Sequence, residues 1–467
     1  MITFRHMRRN IRKFGMLAIA CATVASPSIF ATANAQATVA PASAAADAAV
    51  PTGFTLIPAG TYTPLPIGDP ALTETRSFET LEPGVTLTHI VRGTTPASSS
   101  DINTTLEGPF IVNVVTIDPK KAKGHLQVVR GQYLTSRNTV GQLVTQANGL
   151  VGINASFFDI NDNFGVTDGL DVENGQLVGN PDGEDAGSGV PNGEVSGPVI
   201  NSQTNKLVLN GSYTWSGTLE NLKTGHSLNL TEVDKKPFVP SACASMTDQT
   251  QCTVPGDLVH FDPVWGAETP TGNGVEVVFD KRGDVVSVNT TRGTALQPGQ
   301  TSIQATGSYA AELLNLVNGG GRIKTTLRLF DNGTPVHLTP HTQATTASMV
   351  QLDNGVNDFP YPNGVDTPTT RNPLTSVATT RNGDIILFTV EGRATFSVGM
   401  SYPEESAALL DLGAWNAVNL DGGGSTQLFT GGQYVTTSSD GYVTSSSGGT
   451  VSNGAERADG DALVWVP

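Results

Sequence analysis

The chain has 467 residues and a net charge of −16, from 42 acidic and 26 basic residues. That balance argues against a nucleic-acid partner, whose affinity would come mainly from neutralising phosphates. No stretch approaches the roughly 18 uninterrupted apolar residues of a membrane-spanning helix, so the acidity reads as solubility, and an anionic substrate would have to be held by local arginines.

Residues 1–35 have the form of a cleavable leader. Arg5, Arg8, Arg9, Arg12 and Lys13 make a basic start, Phe14–Ala25 a short apolar core, and Ala33-Asn34-Ala35 a small-residue cleavage site. The leader predicts export to the periplasm or medium. Arg8-Arg9 raises the twin-arginine route as an alternative to the general one, although the residues after the pair fit that motif poorly. The leader holds five basic and no acidic residues, so the charge of −16 becomes −21 on its removal. Residues 36–52 are rich in Ala, Pro and Val and read as a disordered tether before the folded region, 53–467.

Ile111–Ile117 and Leu126–Val129 carry the apolar density of strands, Val140–Asn148 reads as a helix stopped by Gly149, and Val151–Asn154 as a buried strand. Next comes Asn154-Ala155-Ser156-Phe157-Phe158-Asp159, whose aromatic pair suits the core better than a sugar platform. Asp159, Asn161 and Asn163 have the alternate spacing of a calcium loop. The glycine at 165 is displaced by one and no glutamate closes the loop, so an Asx-rich turn is the better reading. From 160 to 215 the chain is rich in turn-forming residues. Cys243 and Cys252 are the cysteines left once Cys21 departs with the leader. In an exported protein they are expected to pair, and without paired histidines they fall short of a zinc site. Residues 254–330 hold strands at Val275–Phe279 and Val285–Val288 and a helix near Tyr309–Val317, predicting a subdomain inserted in one catalytic unit.

Pro373–Arg393 reads as a hairpin turned at Asn382-Gly383 and ending in Glu391-Gly392-Arg393. Ser401 and Glu404 form a capping box for a helix stopped by Gly413. A buried strand, Ala417–Leu420, then delivers Asp421 to Gly422-Gly423-Gly424-Ser425. With 52 glycines in the chain, a lone glycine triplet is often only a turn. Consecutive glycines can also aim backbone N–H groups at one anion, here beside a fixed carboxylate.

The order of these motifs, with Gly454-Ala455-Glu456-Arg457 and Ala462–Val466 after them, resembles the phosphodiester glycosidase family, over about four-fifths of the chain. There are departures. Leu374 stands where the family usually has arginine, Glu391 where it has aspartate, and Ala155-Ser156 where it has two glycines. The resemblance implies an exported hydrolase that cleaves the glycosidic bond of a sugar-1-phosphate diester in a phosphorylated glycan or glycoconjugate. Its alternatives are a phosphoglycan-binding protein that has lost catalysis, which Leu374 and Glu391 would favour, and a phosphodiesterase cutting P–O, which would want a pair of metals.

A phosphate leaving group is already a weak base, so one carboxylate with cationic or N–H clamping would serve where ordinary glycosidases use two carboxylates. Asp421 is the first candidate for base or nucleophile and Glu391 the second, unless Glu391 only pairs with Arg393 at the hairpin end. Arg393 and Arg457 are candidate phosphate clamps, with Glu456 a candidate partner for Arg457. Arg371 is the candidate replacement for the arginine missing at 374, and Asn154 and Asp159 are candidate binding groups. Ser425 has no histidine within its motif, which leaves a nucleophilic role weak. The motifs imply a metal-independent reaction and no organic cofactor. The expected fold is α+β: a large mixed sheet, few short helices, one catalytic unit with its subdomain.

Overall fold

Apolar runs such as Ile385-Ile386-Leu387-Phe388, buried residue after residue, require a strand covered on both faces. The computed structural model, which describes residues 50–160, 164–181, 197–357, 370–444, 450–452 and 454–467, supplies both covers. Nine strands form the large sheet, with Val85–Arg92, Phe110–Ile117, Ile385–Val390, Leu374–Thr380 and Ala414–Asn419 at its centre. One face of it (Leu87, Val115, Ile117, Ile385, Leu387, Val418) packs on a second, five-stranded sheet through Leu126, Ile153, Leu428, Leu463 and Trp465. The other face (Val112, Val114, Ile386, Phe388, Val390) packs on Ala408 and Leu409 of a helix at Tyr402–Asp411. The second sheet in turn covers its outer face with a helix at Val140–Gln146, through Val129, Ala462 and Val464. The period of two along each strand thus sends alternate residues into separate cores and builds four layers: helix, sheet, sheet, helix.

The fold is strand-rich with short helices, as expected. The large sheet is not mixed. Every pairing in it is antiparallel, and the one helical crossover among its described central strands, from Ile385–Val390 through the Tyr402–Asp411 helix to Ala414–Asn419, steps over Leu374–Thr380 and so keeps neighbours antiparallel. Parallel pairing occurs elsewhere, between Glu232–Val233 and Pro255–Phe261. Those strands belong to a region with its own core, built on Leu258, Val277, Ile303, Leu313 and Leu316 and carrying a third helix at Tyr309–Asn318. The region begins earlier than 254, since Tyr213–Asn221 pairs along its full length with Ile323–Asp331. All described residues fall in one compact unit. The leader and the tether up to residue 49 lie outside them, as do Asn161 and Asn163 of the calcium-loop reading.

Cys243 and Cys252 are joined by a disulfide, with Cα atoms 5.9 Å apart. The pairing expected from the sequence is therefore present. Closing so short a loop restrains the unfolded chain by about 3 kcal/mol. Replacing both cysteines by serine is expected to lower stability by about that amount. Chemical denaturation with and without the pair checks this, and an unchanged midpoint would contradict it.

Candidate active site

Asp421 lies on the seam between the two packed sheets. The N–H of Leu420 donates to the Thr375 carbonyl of the large sheet at 2.8 Å, and the N–H of Asp421 donates to the Ala155 carbonyl at 2.9 Å, just past a strand of the second sheet. Fully buried Asn154 fastens the same place. Its Nδ2 donates to the Asp421 carbonyl at 2.7 Å, and its Oδ1 accepts from Thr375 Oγ1 at 2.8 Å and Gln427 N at 3.1 Å. Asn154 is therefore a positioning residue, held by protein groups. With both peptide neighbours anchored to different sheets, Asp421 has a fixed direction.

The glycines after it make one turn of 3-10 helix, Gly423–Ser425. Two of their N–H groups are turned to protein acceptors instead of the open anion nest expected from the triplet. Gly423 donates to the Pro373 carbonyl at 2.9 Å, and the Gly422 N–H faces the Asp421 carboxylate. Glycine is needed here for another reason. A Cβ on Gly423 would stand 2.9 Å from Arg393 Nη1, and one on Gly424 would stand 2.1 Å from Asp440 Oδ1 and 2.3 Å from Arg457 Nη2. Bare backbone thus lets two guanidinium groups settle on one turn. Arg457 is held there by Asp440, Nε to Oδ2 at 2.7 Å and Nη2 to Oδ1 at 3.0 Å, and its Nη1 donates to Ser425 Oγ at 3.2 Å. Its partner is Asp440, and not the adjacent Glu456. Arg393 is exposed, adopts φ 59° and donates from Nε to Asn372 Oδ1 at 3.0 Å. Among the described residues it makes no ion pair, with Glu391 or any other carboxylate. The left-handed conformation costs about 1–2 kcal/mol for a residue other than glycine.

Ser425 Oγ donates to Asp421 Oδ2 at 2.6 Å. Burial pushes the Asp421 carboxyl up to about 6, against the opposing pull of the Ser425 hydroxyl and the Arg457 charge. Behind Ser425 is Asp459, 1% exposed. Burial, and next the charge of Asp421, raise its carboxyl well above the usual carboxylate range. Two neighbouring carboxyls in such a setting oppose each other's ionisation; of the two, Asp421 is the one that lines the cleft. Asp459 escaped the sequence reading. It sits two residues past Arg457 in a run without periodicity, and only folding brings Gln427 Nε2 to its Oδ2, at 3.0 Å.

Two other candidates are placed apart from this turn. Glu391, 6% exposed, is pushed up to about 8 by burial, and its carboxylate is met by the Thr437 N–H. It underlies the 437–442 turn that carries Asp440. Arg371 is also buried, paired with Glu404 at 2.6 Å, donating to the Thr105 carbonyl and stacked on Phe110. It does not replace the arginine absent at 374, because Glu404 and that carbonyl consume its donors. Asp159 is nearer. It lines a cleft of about 790 Å³ together with Asp421, Arg457 and Phe157, and the facing wall is formed by Lys235, Lys236, Phe238 and Trp265 of the neighbouring region. Phe238 is 62% exposed there, so the aromatic surface available to a sugar includes one the sequence did not single out.

Residues 273–464 match the phosphodiester glycosidase family model. That span takes in Leu374, Glu391, Arg393, Asp421 and Arg457, and it bears out the resemblance read from the ordered motifs. None of the curated proteins matches the chain. Among solved structures, a candidate exported protein of Burkholderia pseudomallei is 22% identical, with a TM-score of 0.67 over 89% of this chain and 99% of its own. A hypothetical protein from Synechocystis is 20% identical, with a TM-score of 0.57 over 82% of this chain and 62% of its own. These two share the fold. The catalytic domain of zebrafish N-acetylglucosamine-1-phosphodiester α-N-acetylglucosaminidase, auto-inhibited by its pro-peptide, aligns over 85% of this chain and 88% of its own, at 12% identity. Its TM-score of 0.36 is too low to carry an argument. No helix among the described residues is long and apolar enough to cross a membrane.

Proposed function

We propose that this protein is an exported phosphodiester glycosidase that hydrolyses the C–O bond between a sugar and the phosphate of a sugar-1-phosphate diester. The observation that carries the reading is the convergence of one accessible carboxylate, Asp421, and two guanidinium groups, Arg393 and Arg457, on a single glycine turn. The match of that segment to the family model supports it. The phosphate would lie against the two arginines, and the sugar ring would extend toward Phe157 and Phe238. Asp421 then acts at the anomeric carbon as base or nucleophile. The C–O bond breaks, phosphate leaves with its bridging oxygen, and water supplies the new hydroxyl on the sugar. The arginines stabilise negative charge as it gathers on the phosphate, which needs little help from an acid. Asp459, held neutral, leaves Asp421 as the ionised member of the pair, and Glu391 supports the turn that keeps Asp440 on Arg457.

The test is release of free sugar from synthetic sugar-1-phosphate diesters. Asp421 must be ionised to act, so kcat/KM is expected to rise with pH through about 6, following the raised carboxyl. Arg393 provides a second check. Arg393→Gly relieves the left-handed backbone and is expected to gain about 1 kcal/mol of stability. It is also expected to lower kcat/KM about 10- to 100-fold by removing a charged contact to phosphate. A variant that gains stability and keeps full activity would show that Arg393 does not touch the substrate.

A further inference from the structure

The parallel strands Glu232–Val233 and Pro255–Phe261 end side by side, with Val233 opposite His260. Each strand is followed at once by an aspartate, so Asp234 and Asp262 leave the sheet at the same edge, next to His260. The three side chains converge, and one ligand atom from each lies within 4.8 Å of the other two. His260 Nδ1 is 4.0 Å from Asp262 Oδ2, and Asp234 Oδ1 accepts the N–H of Asp262 at 3.1 Å. Two polar atoms in the group stay unsatisfied. Asp234 Oδ2 and His260 Nδ1 are buried, on residues 0% and 5% exposed, with no hydrogen-bond partner among the described residues. A buried carboxylate oxygen and a buried imidazole nitrogen left unpaired in one cluster are costly, and a cation held by the cluster would satisfy both. Asp262 is partly exposed and offers the entry path.

We infer that Asp234, His260 and Asp262 form a binding site for a divalent transition-metal ion of the zinc and cobalt class. One imidazole nitrogen and two carboxylate oxygens suit such an ion better than calcium, which takes oxygen ligands in greater number. At about 2.1 Å from each ligand a tetrahedral ion would set them about 3.4 Å apart, so the group need contract only modestly. Three protein ligands leave the remaining position to water. The site is separate from Asp421. Its effect is on the cleft wall: Lys235, Lys236 and Phe238 lie within four residues after Asp234, and Trp265 lies three residues past Asp262, its backbone N–H donating to the Asp262 carbonyl at 3.1 Å. A metal at the strand ends would fasten this wall. The ion would touch no reacting atom.

The test is titration of the chelator-treated, leader-free protein with Zn²⁺ or Co²⁺ alone, read by calorimetry, thermal midpoint and the visible spectrum of bound Co²⁺. One equivalent of either ion is expected to bind, to raise the midpoint by several degrees, and, for Co²⁺, to give the intense absorption of a low-coordinate site. Asp262→Asn, at the partly exposed ligand and least disturbing to the fold, and His260→Gln are each expected to weaken binding at least tenfold and to remove the rise in midpoint. The Co²⁺ spectrum of the unsubstituted protein tests the site even where a variant fails to fold. No uptake of either ion at millimolar concentration would overturn the inference, as would undiminished binding in both variants.

Discussion

Asp421→Asn is expected to lower kcat by about 10²- to 10⁴-fold, the usual worth of a positioned acid, base or nucleophile, and to leave the protein folded. Asparagine preserves the backbone bonds to Ala155 and Asn154 and keeps an oxygen for the Ser425 hydroxyl. The charge is what is lost. The direction of the stability change follows from the raised carboxyl. Burial makes the folded state hold its proton up to about pH 6, above the unfolded value near 4, so ionisation weakens the fold as pH climbs through that interval and the penalty is complete above it. At neutral pH the asparagine variant should therefore melt at or slightly above the parent. Kinetics and thermal denaturation at pH 5 and pH 8 check both halves. A variant that unfolds, or one that turns over normally, would each remove Asp421 from the reaction.

Leu374→Arg, which restores the residue usual in the family, is expected to destabilise the protein by roughly 3–5 kcal/mol. Leu374 is 3% exposed and packs in the apolar core between the large sheet and the Tyr402–Asp411 helix, with Val390, Val398 and Met400. A guanidinium there loses leucine's contacts and must be buried without a partner or push its neighbours aside. The position is nevertheless close to the site, since a Cβ on Gly422 would stand 3.6 Å from Leu374 Cδ2. An arginine here could strengthen phosphate binding only if the clamp were open at this position, and the core around Leu374 is the reason to expect otherwise. Urea denaturation and binding of a non-hydrolysed phosphodiester decide between these. A variant of normal stability that binds the ligand more tightly would mean that the new side chain threads past Gly422 into the cleft.

Much of the scaffold was legible because it rests on local rules. The capping box of Ser401 and Glu404 is formed. The hairpin turn at Asn382-Gly383 connects paired strands, and the buried run before Asp421 is a strand of the large sheet. The nearness of Asp421 to Arg393 and Arg457 was read from motif order and resemblance. What escaped depends on distance in sequence. Nothing local to Arg371 says that Glu404, 33 residues on, will take its guanidinium. Nothing local to Asp440 says that it, and not Glu456, will hold Arg457. Asp459 and Phe238 become part of the site only through contacts made by other elements. The glycine triplet was legible as a feature, but the room it makes for Arg393 and Arg457 was not, because that depends on what packs over it.

Hydrolysis in ¹⁸O-labelled water tests the central claim most directly. If Asp421 and the two arginines act as a glycosidase, water adds to the anomeric carbon, and the label is expected in the released sugar with none in the phosphate. Label in the phosphate, with none in the sugar, would mean that the P–O bond is cut and would contradict the account.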